Sequence, residues 1–277
     1  MSQLDDIATL AQQLEANEIA AWRAIFGGPP APLAAHLGSG YLEQGRALMI
    51  WNRAARVPLF NRIVGLGLFE PATDDLIDGL LARARAEHIR ILVHVAPAAR
   101  PANLGAMLSA RGLVPAQPWL VHYRSLETAL PAPRIPEGYR IERTPPARAA
   151  AWGDALLAAW EFSDRAAVGA LAVTLPIVQD AHTICFAAIH EASGQIAGAA
   201  MLYVSGSVGG LYADGVRQEH RQQGLQDALI AVRLAEAQRQ GCALACSQTL
   251  EAHPAQRNMA QAGFEIAYTR QNYIPPK

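Results

Sequence analysis

Lysine is nearly absent from this chain: Lys277 is the only one, and every other basic side chain is an arginine. Cysteine is as sparse, with Cys185, Cys242 and Cys246 in 277 residues. An odd set of three excludes the dense disulfide framework of a small secreted domain. Cys242 and Cys246 lie four apart in an apolar run, which is not CxxC spacing, so all three are expected as buried thiols. No stretch is long and apolar enough to suggest a membrane-crossing helix. The opening MSQLDDIATLAQQLE has two early aspartates and lacks the apolar core of a signal peptide. Charge of either sign is also nearly lacking in excess: the formal net charge is -1, so no overall positive field draws the chain to nucleic acid or to an acidic membrane. Together these absences predict a cytoplasmic protein with neither a nucleic-acid nor a membrane partner.

What is present is ordinary folded material, with 51% apolar residues and enough length for one large domain or two of about 100–200 residues. The clearest boundary is PAPRIPEG, Pro131–Gly138, where three prolines and a glycine oppose both a helix and a central strand. Before it, Leu4, Ile7, Leu10, Leu14, Trp22 and Ile25 recur at helical spacing and predict a helix over about 3–26, broken by GGPPAP. ALMIWNRA from Ala47 begins as a strand, Asp74 to Ala86 is helical, and IRILVHV (Ile89–Val95) is a strand. A short helix over Pro101–Ala110 and a last strand or strand pair follow. After the boundary, YRIERT starts a new unit. HTICFAAIH and QIAGAAMLYV form a hairpin about EASG, and GGLYADGV leads into a helix near Gly224. CALACSQ is a buried strand, Ala255–Ala262 a short helix, and GFEIAYTRQNYI the terminal strand. ILVHV aligns with CALACS and MLSARGL with MAQAGF, each pair set between helices in the same order, which predicts an internal duplication and α/β layering.

The stretch that carries chemistry is VRQEHRQQGLQDALIAVRLAEAQRQG, Val216–Gly241. Leu225, Ala228, Leu229, Val232 and Ala235 make an apolar stripe, so a helix starts just after RQQG. Its first turn offers unpaired N–H groups and the positive end of the helix dipole to an anion, and Gly224 lets the main chain come close to one. A capped surface helix would read the same way. No GKS or GKT follows, and GLGLF at 65–69 has only two glycines of a dinucleotide fingerprint. His182 and His190 lack metal-ligand spacing, and no metal site is expected.

Arg221, Gln222, Gln223, Gly224, Leu225 and Gln226, with Val216 five residues before the arginine, resemble the Arg/Gln-x-x-Gly-x-Gly/Ala signature of the GCN5-related N-acetyltransferase (GNAT) superfamily. Downstream, RNMAQAGFEIAYTR resembles that family's asparagine-containing helix, Gly-Phe turn and final strand, through Asn258, Gly263 and Phe264. The likeness covers about 138–277. It implies two GNAT-like domains in tandem, each a mixed, mostly antiparallel sheet flanked by helices. Residues 1–130 would be a degenerate copy with an extra N-terminal helix, and 138–277 the acyl-coenzyme A-binding domain.

By this resemblance the chain is an N-acyltransferase that moves acetyl from acetyl-coenzyme A to a primary amine on a small molecule or peptide. Its alternatives are a noncatalytic coenzyme A-binding regulator and an α/β interaction protein that has lost the cofactor. Val216, Arg221, Gln222, Gln223, Gly224, Leu225, Gln226 and Asn258 are then the cofactor residues, with LYADGV and SQTL on the two sides of the pantetheine arm. Asp214 is the first candidate base, Glu251 the second, and Tyr268 a candidate proton donor. Alternation from Val216 puts Tyr212 and Asp214 on one side unless a bulge intervenes, and Tyr212, Trp152 and Trp160 are candidates for acceptor binding. His220 could contact phosphate, though a solvent-facing loop position is favoured. Two positions depart from the family: Gln226 replaces a small residue, and Met259 stands where a tyrosine acid is frequent. In the first half, Asp74 and Asp75 at a helix start would repel a pyrophosphate, so cofactor binding is expected only in the second.

Overall fold

The helical periodicity of the first residues is realised as α1 (Gln3–Gly27), whose Ala11, Leu14, Trp22 and Ile25 are buried. The computed structural model describes residues 3–162, 169 and 180–276. After α1 come α2 (Ala31–Leu37), β1 (Ser39–Gln44), β2 (Ala47–Asn52), β3 (Arg62–Val64), α3 (Asp74–Ala86), β4 (Leu92–Val95), α4 (Leu104–Ala110) and β5 (Val114–Ser125). Beyond the proline-rich connector lie β6 (Tyr139–Arg143), α5 (Ala149–Trp160), β7 (Thr183–His190), β8 (Ile196–Ser205) and β9 (Val208–Val216). The chain closes with α6 (Leu225–Arg239), β10 (Leu244–Leu250), α7 (Ala255–Gln261) and β11 (Glu265–Ile274). β1 and β3 have no counterpart among the predicted elements. SGYLEQ lacks apolar alternation, and a strand of three residues is too short to show a period.

Among the described residues the strands form one eleven-stranded sheet in the order β1-β2-β3-β4-β11-β5-β10-β9-β8-β7-β6. β5 pairs antiparallel with β10, Trp119–Ser125 opposite Leu244–Leu250, and β11 pairs antiparallel with both β5 and β4. Thus β5, which precedes the connector, completes the sheet of strands that follow it, and β11 does the converse. The order mirrors itself about the β11–β5 seam, where β4 and β10 each stand one strand out and β3 and β9 two, in parallel pairs. β2 is buried at all six positions, as a strand covered on both faces requires. One apolar cluster lies beneath α1 and α5, a second beneath α3 and α4, and a third beneath α6 and α7.

α1 is tied to the sheet by buried charge as well as by apolar contact. Arg270 on β11 donates through Nε to Glu15 Oε1 at 2.9 Å and through Nη2 to Glu18. Tyr268 donates its hydroxyl to Glu15 at 3.1 Å, and Arg62 on β3 sits 3.1 Å from Glu18. Burial pushes both acids upward. At Glu18 the attraction of Arg270 and Arg62 outweighs it and holds the carboxyl below its ordinary range, whereas Glu15 stays raised.

The three cysteines are free and buried, as their spacing predicts. Burial raises all three thiols, Cys246 to about 12. Thiolate is the reactive form, so the native protein is expected to resist iodoacetamide at pH 8 and to label at all three positions once unfolded, as mass spectrometry would read.

Candidate active site

The site begins with a fault in the ladder. β9 pairs β8 in register except between Ala199 and Met201, where the register shifts, and Ala213 opposite the shift has a positive φ of 44°. This is a β-bulge, and it turns over the side chains that follow. Tyr212 therefore points toward α1, its hydroxyl donating to Asn17 Oδ1 at 2.8 Å, while Asp214 points toward α6. Simple alternation, which put Tyr212 and Asp214 on one side, is corrected by this extra residue.

The same strand parts from its parallel neighbour. β9 and β10 are paired only at Val208–Gly210 against Leu244–Cys246. From Leu211 and Ser247 onward the two strands have no ladder bonds with each other, and Ser247 Oγ caps the fork by donating to Leu211 O at 3.0 Å. Backbone groups along the open edges are left for a ligand or water. A cavity of about 330 Å³ opens at this fork, bordered by Tyr212, Ala213 and Asp214 on one side and Gln248, Thr249 and Leu250 on the other. Trp22, Arg62, Trp119 and Trp160 also border it, the part of the chain before the connector supplying three of these four, and His253 stands at its margin.

Just past β9 the chain makes a built turn. Arg217 N–H donates to Ala197 O at 2.8 Å, and His220 is 8% exposed. The Tyr139 hydroxyl lies 2.8 Å from His220 Nδ1 and donates to Gln223 Oε1 at 2.7 Å. His220 is thus a buried brace and not the solvent-facing residue its loop position suggested. Gln222 and Gly224 adopt positive φ, 62° and 79°, and α6 starts at Leu225 with no side chain capping it. Among the described residues, the backbone N–H groups from Gln222 to Asp227 have no acceptor; the first to find one is Ala228, bonded to Gly224 O. A Cβ on Gly224 would meet nothing closer than Pro136 Cγ at 3.6 Å, so the glycine is required by its backbone angle rather than by crowding. This is an anion-binding concavity at a helix start, adjoining the fork.

Arg221 is arranged otherwise than its motif position suggested. Its Nε donates to Val216 O at 3.1 Å and its Nη2 to Ala159 O at 2.8 Å, while Nη1 pairs with Glu161 at 2.7 Å. The guanidinium pins the turn to the end of α5. Gln226 folds back and donates to Asp214, which also lies 3.3 Å from the fully buried Arg233. Val216 and Leu225 are buried under the turn, and Gln222 and Gln223 are exposed on it.

Other predicted residues are not brought to the cavity. Trp152 is fully buried and donates its indole N–H to Phe186 O at 3.0 Å, so it belongs to the core and not to an acceptor pocket. Tyr268 commits its hydroxyl to Glu15, and burial raises it well above the usual phenol range, so it is not a proton donor at the fork. Glu251 sits in an exposed turn and Asn258 is half-buried on α7; neither borders the cavity. Met259 is packed in the core. Trp160 does border the cavity and donates to Asp214 O at 3.0 Å.

The mirrored position before the connector is closed. At the start of α3, Thr73 Oγ1 accepts from Leu76 N–H at 3.2 Å, and Asp74 and Asp75 occupy the first turn. Arg111 pairs with Asp74 and Asp78, each at 2.7 Å. The helix start is thereby capped by its own sequence.

No family model and no curated protein matches the sequence. Solved structures do resemble it. A GCN5-related N-acetyltransferase from Kribbella flavida aligns with a TM-score of 0.62 at 15% identity, over 89% of this chain and 94% of that one. Another from Sphaerobacter thermophilus gives 0.61 at 18%, over 82% and 79%. A tandem GNAT protein from the clavulanic acid biosynthesis pathway gives 0.60 at 16%, over 95% and 94%. At these identities the likeness is one of fold: the chain has the mixed α/β fold of the GNAT acetyltransferases.

Proposed function

We propose that this chain is an acyl-coenzyme A-dependent N-acyltransferase, with one cofactor site after the connector and an amine as acceptor. One juxtaposition carries the reading: unpaired strands β9 and β10 open beside the unengaged amides of Gln222 to Asp227. The residues fit coenzyme A. The amides at the start of α6 suit a diphosphate, the turn at Gly224 brings main chain to it without a side chain between, and the open edges of β9 and β10 suit the amides of a pantetheine arm. Bound acetyl-coenzyme A would supply an activated acyl group. The chain's own share is to fix the amine next to it and to exclude water, which removes much of the orientation cost. Asp214, held by Gln226 and Arg233, is suited to receiving an ammonium at the cavity wall, from which the proton leaves through water.

The mirrored sheet order supports reading residues 1–130 and 138–277 as tandem copies, of which the first has lost the cofactor because α3 is capped by Thr73. Isothermal titration is expected to find one coenzyme A per chain; two equivalent sites would reject that asymmetry. Acetyl transfer to a panel of small amines and peptides tests the activity. A coenzyme A-binding protein without turnover is the second reading, favoured by the buried Met259 and by Tyr268 being committed to Glu15.

Arg221→Ala should weaken coenzyme A binding about tenfold, by freeing the turn from Val216 and Ala159. Lysine at this position should not restore it, since one ammonium cannot span both carbonyls and Glu161. An unchanged affinity in the alanine variant would contradict the role given to the turn.

A further inference from the structure

We infer that the acceptor amine has a flat aromatic body and no second charged group, and that this body lies in the cavity at the fork against Trp119 and Trp160. That it is an acceptor rests on the acyltransferase reading; its shape and charge rest on the wall of the cavity. Both ionised side chains there are already balanced within the protein. Arg62 is 1% exposed and lies 3.1 Å from Glu18. Asp214 lies 3.3 Å from Arg233 and accepts from Gln226. The hydroxyl groups are committed as well: Tyr212 donates to Asn17 and Ser247 to Leu211 O, while Thr249 Oγ1 lies 2.8 Å from His122 Nε2. At the margin His253 Nδ1 accepts from Ala255 N–H at 3.2 Å, and Gln248 adds only an uncharged amide. A carboxylate or a second ammonium brought here would give up its water without gaining a partner.

The rest of the wall is apolar and largely aromatic. Trp119, Trp160, Leu59 and Leu250 border the cavity and are half-buried, so part of each is still uncovered. Behind Trp160 the rings continue, with Phe162 at 5.3 Å and Phe60 at 6.2 Å between centres, and Trp22 meets Phe60 edge-on at 6.1 Å. Rings packed on rings hold such a wall in place and favour another ring laid against it. Size agrees: an apolar cavity of about 150 Å³ takes a benzene ring, and this one, at about 330 Å³, has room for a ring beside the end of a pantetheine arm.

The test titrates the full-length protein calorimetrically with phenylethylamine, butylamine and aminoethylbenzoate, each with and without coenzyme A. All three carry a primary amine on an alkyl carbon, so differences between them report the body. Phenylethylamine is expected to bind about tenfold more tightly than butylamine, which lacks the ring. It should bind about 100-fold more tightly than aminoethylbenzoate, whose ring carries an unpartnered carboxylate. Trp160→Ala should erase most of the preference for the ring. Trp160→Phe, which keeps a ring but drops the N–H donated to Asp214 O, should retain it and so separates stacking from support of β9. Equal binding of phenylethylamine and either analogue, or no binding of any of the three, would overturn the inference. So would an octanoyl-coenzyme A that binds far more tightly than acetyl-coenzyme A and excludes phenylethylamine, since the cavity would then belong to the acyl chain. The coenzyme A titration alone distinguishes the two readings. Ring-selective binding without coenzyme A binding removes the acyltransferase and leaves the cavity's selectivity standing, and the reverse outcome removes the aromatic acceptor alone.

Discussion

Gly224→Val is expected to lower affinity for coenzyme A by about 100-fold or more while leaving a folded protein. The residue sits at φ 79°, a left-handed conformation that a β-branched side chain adopts only under strain of about 1–3 kcal/mol. The turn relieves that strain by rotating, and rotation turns the amides of Gln222 to Asp227 away from their common focus. Space is not the obstacle, with Pro136 Cγ 3.6 Å from where a Cβ would stand. Gly224→Asn, which tolerates the left-handed region, should therefore bind better than the valine variant. Calorimetric titration beside circular dichroism separates loss of binding from loss of fold, and wild-type affinity in the valine variant would detach the turn from the cofactor.

Arg270→Met is expected to be the most damaging single change to stability, at about 3–5 kcal/mol. Arg270 is 0% exposed and serves two carboxylates at once, so its loss leaves Glu15 and Glu18 facing each other with only Arg62 to balance them. Those acids lie on α1, and Arg270 lies on β11, the strand inserted between β4 and β5. Damage should thus reach α1 and the sheet seam together and appear as one cooperative transition at lower denaturant. Adding Glu15→Gln should recover part of the loss, since it removes one stranded charge. A melt of Arg270→Met that matches wild type would show the cluster to be dispensable.

Much of this was legible in the sequence because it rested on local patterns. The helix over Asp74–Ala86 and the connector at Pro131–Gly138 follow from apolar spacing and from proline chemistry, and both stand in the structure. The turn at Gly224 was legible through its likeness to the Arg/Gln-x-x-Gly-x-Gly/Ala signature, because one glycine before a helix start reads equally as a capped surface helix. What the sequence hid was set by distance. The bulge at Ala213 reverses Asp214 relative to Tyr212, and no residue type announces it. Trp152 and Trp160 look alike eight positions apart, yet only the surroundings of α5 decide that the first is core and the second cavity wall. Arg62 and Trp119 were missed because they reach the fork only through the exchange of β5 and β11, about 90–180 residues away in the chain. A faint signal did exist: an arginine that follows Asn61 in the mostly apolar run LFNRIVGLGLF needs a reason to be there.

A crystal structure of the protein with coenzyme A tests the central assignment most directly. The diphosphate is expected against the amides of Gln222 to Asp227, with the pantetheine arm entering the fork between β9 and β10. A cofactor seated at the start of α3, or a bound diphosphate that touches none of those amides, would contradict it.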